Sequence, residues 1–105
     1  MASIKIVQND TKPYLEFEIT QDGTPVDLTG STVKFYMKNV DTGSVKINGS
    51  LCDITDAIKG KCRYVWAAGD TNTIGTYLGE VEVTFPDAKI QTGYKQVTIV
   101  IRDDI

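Results

Sequence analysis

A chain of 105 residues, 41% hydrophobic and 24% charged, suits one globular domain and leaves no room for a second. Its net charge of −3 argues against a nucleic-acid binder, which would carry a basic stripe. It has no histidine, so neither a Ser-His-Asp triad nor a Cys-His pair can form, and no stretch approaches the roughly 18 apolar residues of a membrane helix.

The opening segment MASIKIVQNDTKP (residues 1–13) lacks a signal-peptide apolar run, which implies a chain kept in a cytoplasm or released by lysis. It reads as an N-terminal arm or first strand, ahead of a single domain over residues 14–105. Asn9 and Asn48 head glycosylation-type triplets that carry no meaning without a secretory route. From there, period two dominates. Leu15, Phe17 and Ile19 alternate with Glu16 and Glu18, and QDGTP (21–25) reads as a hairpin loop. DLTG (27–30) forms the next turn, after which Val33, Phe35 and Met37 alternate with Lys34, Tyr36 and Lys38.

Asn48-Gly49 is the strongest short hairpin signal in the chain. DAIKG (56–60), GDTNTIG (69–75) and FPDAK (85–89) mark further corners. Tyr77, Gly79, Val81, Val83 and Phe85 share one face, as do Val97, Ile99 and Ile101. Each pattern describes a strand with one buried and one wet face. No segment has a helical period. The expected fold is all-β: an antiparallel immunoglobulin-like β-sandwich of about seven to eight strands, with a small closed barrel as the alternative.

A hairpin turning at DAIKG would set Cys52 opposite Cys62, at a separation a disulfide can span. The competing reading is two reduced thiols packed as small hydrophobes, which a cytoplasmic compartment favours, with oxidation after release left open. A zinc site is not expected from two cysteines without histidine.

Glu16/Glu18 and Glu80/Glu82 are carboxylate pairs on strands, and glutamates alternating with apolar residues describe the wet face of a sheet rather than a glycosidase cleft. GDTNTIG lacks the lysine and the helix of a phosphate-binding loop. Asp103 and Asp104 are adjacent acids at a terminus, where solvation is the ordinary state. Alternation places Tyr64 and Trp66 inward with Cys62, and Tyr77 is positioned to hydrogen-bond back across its corner. Tyr36, out of phase with Phe35, is the ring expected at the surface. No cofactor, metal or catalytic residue is expected.

Three ordered stretches, GTPVDLTGSTVKFYMKN, ITDAIKGKCRYVW and AAGDTNTIGTYLGEVEVTF, together resemble the immunoglobulin-like N-terminal domain of phage baseplate upper proteins. The resemblance runs from about Tyr14 to Ile101. It implies a scaffold in which Asp27 and Gly30 make a turn, Leu28 plugs one end, and Gly60 ends the corner before Tyr64 and Trp66. Asp70 and Thr71 would cap the turn that leads to Tyr77. Family positions matching Cys52 and Cys62 are more often simple apolar residues.

The resemblance implies a non-enzymatic virion protein of a tailed phage, assembled in the host cytoplasm, with other virion proteins as partners and self-association as a further option. Baseplate upper proteins continue past this domain, whereas this sequence stops at Ile105. That contrast, with the small size, gives the expectation of an auxiliary decoration protein on the capsid surface, its N-terminal segment extending along a neighbour by strand addition. A tail or baseplate adaptor is the alternative. A glycan-adhesion module with exposed rings at Tyr36 or Tyr94 is the third reading.

Overall fold

The computed structural model describes residues 2–103, apart from the side chains of residues 2 and 93–95. Among these residues the chain forms ten strands and no helix: β1 (Ala2–Val7), β2 (Leu15–Glu18), β3 (Thr20–Gln21), β4 (Thr24–Pro25), β5 (Thr32–Asn39), β6 (Val45–Leu51), β7 (Asp53–Asp56), β8 (Lys61–Tyr64), β9 (Gly75–Thr84) and β10 (Ile90–Arg102). They make a five-stranded sheet in the order β1-β10-β9-β5-β6, a three-stranded sheet β2-β8-β7, and a two-stranded ribbon β3-β4.

Alternation decides what each sheet buries. Val33, Phe35 and Met37 of β5, Tyr77, Val81 and Val83 of β9, and Val97, Ile99 and Ile101 of β10 are all buried. They meet Leu15 and Phe17 of β2 and Cys62 and Tyr64 of β8 in one shared core. Phe35 sits at its centre, fully buried, with ring centroids 4.8 Å from Tyr64, 6.0 Å from Phe17 and 6.4 Å from Trp66. Aromatic rings from both sheets thus interlock at offset and edge-on angles that their quadrupoles favour. Gly79 leaves the space this requires, since a Cβ there would lie 2.7 Å from the Phe35 ring.

The strand count exceeds the seven or eight that turn spacing implies, for two physical reasons. Ile19 breaks the first hairpin strand to drop into the core, leaving the short β3-β4 ribbon beyond it. Cys52 interrupts the run after β6, where the chain leaves the five-stranded sheet for the three-stranded one; its N–H donates to the Val33 carbonyl at 2.8 Å.

Three further expectations are corrected. The sheets are not wholly antiparallel: β1 pairs in parallel with β10, from Ala2 beside Val97 to Val7 beside Arg102. Of the two readings of the opening segment, arm or first strand, residues 2–7 form the first strand, at an edge of the chain's own sheet. Asn48-Gly49 is not a hairpin turn. It lies inside β6, where one of two register shifts against β5 absorbs Gly49 at φ 82°, and the reversal occurs over residues 40–44. The left-handed geometry that makes Asn-Gly a turn signal equally serves a bulge. Finally, Ile54, not Cys52, stands opposite Cys62, because Ile54 and Cys62 are the residues equidistant from Ile58 at the centre of the turn, which leaves Cys52 two positions further along the strand. Cys52 and Cys62 are both free thiols.

Candidate functional site

The motif residues gather into two structural knots and one open face. The first knot is the turn after β4. The Asp27 carboxylate accepts hydrogen bonds from the Thr29 hydroxyl at 2.6 Å and the Thr29 N–H at 2.9 Å, which hold its pKa below the ordinary carboxylate value. Leu28, fully buried, turns inward from this loop, and its N–H donates to the Ala57 carbonyl. Gly30 closes the turn, with the Ser31 N–H returned to the Leu28 carbonyl. Nearby, Gly60 adopts φ 69° and donates its N–H to Ala57, while its carbonyl accepts from the Ile19 N–H at 2.7 Å.

The second knot is the corner between β8 and β9. The Tyr64 hydroxyl donates to Asp70 Oδ2 at 2.5 Å, and the same oxygen accepts the Ala67 N–H at 2.8 Å. Burial, followed by this carboxylate contact, pushes the Tyr64 hydroxyl well above its usual pKa. Tyr77 donates back across the corner to the Thr73 carbonyl at 2.9 Å. Thr71, buried at 3% exposure, does not cap the turn; its hydroxyl donates to the Asp10 carbonyl at 2.7 Å. Trp66 Nε1 donates to the Pro13 carbonyl, Asn9 N–H to the Thr71 carbonyl, and Gln8 Nε2 to the Asn72 carbonyl. The corner is thereby fastened to the segment that follows β1.

These bonds to residues 8–13 are structural detail the sequence did not disclose. Thr71 and Trp66 are polar-tipped residues at buried positions, so partners were required. Which backbone carbonyls would supply them depends on a chain crossing that no local pattern encodes.

The outer faces of the two sheets differ. Over the three-stranded sheet, Glu16 and Glu18 flank Lys61 and Arg63, and Arg63 lies 3.7 Å from Asp53. Arg63 also lies over the Tyr14 ring at 5.3 Å, with Lys12 at 5.6 Å. Over the five-stranded sheet, cross-strand register sets Lys34 opposite Glu82 and Tyr36 between Asn48 and Glu80. Tyr36 is half-buried rather than fully exposed, and its hydroxyl lies 3.4 Å from Glu82 Oε1. Desolvation, then the Glu82 charge, raises its pKa. Beside it lies a shallow depression of about 320 Å³ lined by Tyr36, Val45, Leu78, Glu80 and Gln96. An aromatic ring with apolar neighbours inside a polar surround is the composition of a protein-contact surface. The side chain of Tyr94 and the residue Asp104 lie outside the described residues.

The two cysteines are shielded. Burial, then the neighbouring Cys62, pushes the Cys52 thiol up to about 12, and burial pushes Cys62 up to about 11. Thiols held this far into the protonated form are poor nucleophiles at neutral pH. Among the described residues, no group of cysteine and carboxylate side chains is placed to hold a metal ion.

The family model for the BppU N-terminal domain matches residues 2–105, the full length of this fold including β1. The chain belongs to that family. As a BppU N-terminal domain, it shares its family with a structural domain of phage baseplate upper proteins. No protein with a curated description matches it. Among solved structures, the crystal structure of CopC from Methylosinus trichosporium OB3b is similar, with a TM-score of 0.53 and 13% identity, covering 100% of this chain and 90% of that one. At that identity the likeness concerns the fold alone.

Proposed function

We propose that this BppU N-terminal domain is a non-enzymatic structural module of a tailed-phage baseplate, joined to other virion proteins through its sheet surfaces. The observation that carries this reading is the family match over residues 2–105, which reaches both edges of the five-stranded sheet. Nothing comparable supports the capsid-surface role anticipated from size, and the baseplate alternative takes its place. The open face around Tyr36 is the surface we assign to docking. A glycan platform is less favoured, because the Tyr36 ring is half-buried with its hydroxyl turned to Glu82.

We further propose that the two sheets form an immunoglobulin-like sandwich. In chain order, β2, β5, β6, β7, β8, β9 and β10 correspond to strands B, C, C′, D, E, F and G, giving B-E-D packed on G-F-C-C′. Tyr77, early in the strand equivalent to F and bonded back to Thr73, corresponds to the tyrosine corner of such domains.

Immunogold labelling of purified particles with an antibody to this chain tests the role. Label at the tail tip is expected. Label distributed over the shell would return the capsid reading, and unlabelled particles would remove the chain from the virion.

A further inference from the structure

The five-stranded sheet ends on two edges of different character. β6 has two register shifts and a left-handed residue at Gly49, devices that blunt a strand edge against further pairing. β1 has only Lys5, on its exposed face: it pairs with β10 residue for residue from Ala2 to Val7, with no proline, bulge or inward-facing charge. The Gln8 N–H donates to the Arg102 carbonyl at 2.8 Å, and this bond sets the phase of the parallel ladder. Even-numbered residues of β1 direct their backbone groups at β10, and odd-numbered residues direct theirs outward. Ser3 and Lys5 thus offer both N–H and C=O to the outside, while the Val7 carbonyl is taken by the Asp10 N–H at 2.9 Å. Beneath this edge runs a groove of about 180 Å³ between the two sheets, lined by Ile4, Tyr14, Leu15, Phe17 and Val97.

We propose that β1 pairs antiparallel with β1 of a second copy of this chain, Ile4 facing Ile4 across a two-fold axis, so that the two five-stranded sheets become one. The self-complementarity of the edge selects this occupant and this register. Side chains on opposite partners stay on matching faces only when each residue meets one of the same parity. With Ile4 on the axis, Ser3 meets Lys5 of the second copy, and these are the residues whose backbone groups point outward. Each such pair exchanges both hydrogen bonds. The Ile4 side chains, already packed against the core, meet at the narrow non-hydrogen-bonded site over the groove. Moving the axis to Lys5 would set like charges directly opposite, which is unfavourable. Moving it to Ser3 would carry Lys5 past Ala2, out of the strand. The surface involved is independent of the face around Tyr36 and of the baseplate reading.

The test combines sedimentation of the unaltered chain with site-specific cross-linking. The chain is expected to show a concentration-dependent monomer–dimer equilibrium. Lys5→Pro removes an outward N–H without touching the ladder to β10, and is expected to weaken the dimer roughly tenfold or more. Should that variant fold poorly, Ser3→Glu sets a carboxylate against Lys5 and is expected to tighten the dimer at low salt and lose the gain at high salt. Under mild oxidation with diamide, Ile4→Cys is expected to give a covalent dimer, since paired Cα atoms at such a site lie about 4.5 Å apart. Ser3→Cys, facing Lys5, is expected to give far less. A chain that stays monomeric up to about millimolar concentration, a dimer indifferent to both edge substitutions, or equal cross-linking at positions 3 and 4 would each overturn the proposal.

Discussion

Gly60 shows how one residue holds two elements in place. It is left-handed, and a Cβ at this position would lie 2.5 Å from the Ile19 carbonyl oxygen and 2.9 Å from that of Val26. Both are backbone atoms and cannot swing aside. Gly60→Ala is therefore expected to combine left-handed strain with displacement of the Ile19 strand break, costing about 3 kcal/mol and lowering Tm by roughly 10 to 20 °C in a thermal melt. Residue chemistry also sets an alkaline limit. Cys52 and Cys62 keep their protons in the fold to about 12 and about 11, against an ordinary value of 9.0. The unfolded chain ionises its thiols first, so this contribution is whole below pH 9 and is lost as pH rises through the folded values. Tyr64, shifted in the same direction, reinforces the trend. Urea midpoints should hold steady up to about pH 8 and fall by about pH 10.5. Replacing both cysteines by alanine should make that decline shallower.

The corner between β8 and β9 carries the chain from the three-stranded sheet to the five-stranded one. Its fastenings are hydrogen bonds from buried tips, Tyr64 to Asp70 and Tyr77 to Thr73. Tyr77→Phe leaves the ring in the core and the Thr73 carbonyl without that donor; a loss of about 1 kcal/mol is expected from chemical denaturation, with no change in oligomeric state. Elements were legible in the sequence wherever alternation set their faces: β5, β9 and β10 bury the residues that period two assigns to the core. Tyr64, Trp66 and Tyr77 likewise sit inward. Pairing partners were less legible. Asn48-Gly49 carries a turn signature whose left-handed backbone is used as a bulge, because β5 continues past it to Asn39 and packs Tyr36 against Gly49. The β7-β8 hairpin keeps Ile54 and Cys62 equidistant from Ile58, with one register shift beside the turn, so Cys52 lies beyond the pair that faces Cys62. Local patterns fix which way a side chain points; they do not fix which strand lies alongside.

At the scale of the whole molecule, the least legible feature was the parallel pairing of β1 with β10, a contact between the two ends of the sequence. It also has a mechanical consequence. The chain enters the sheet beside Val97 and leaves it beside Val7, so the entry and exit lie at opposite poles of a six-residue ladder about 20 Å long. Tension applied between Ala2 and Arg102 would slide β1 along β10 and load every rung of that ladder together. Tension applied between Gly75 and Arg102, neighbours at one pole, would instead open β9 from β10 one rung at a time. Single-molecule pulling is expected to need markedly more force in the first geometry than in the second, and equal forces would remove β1 as the element that resists. A module built this way is suited to standing in a line of force, where sideways pairing at one strand becomes lengthwise strength.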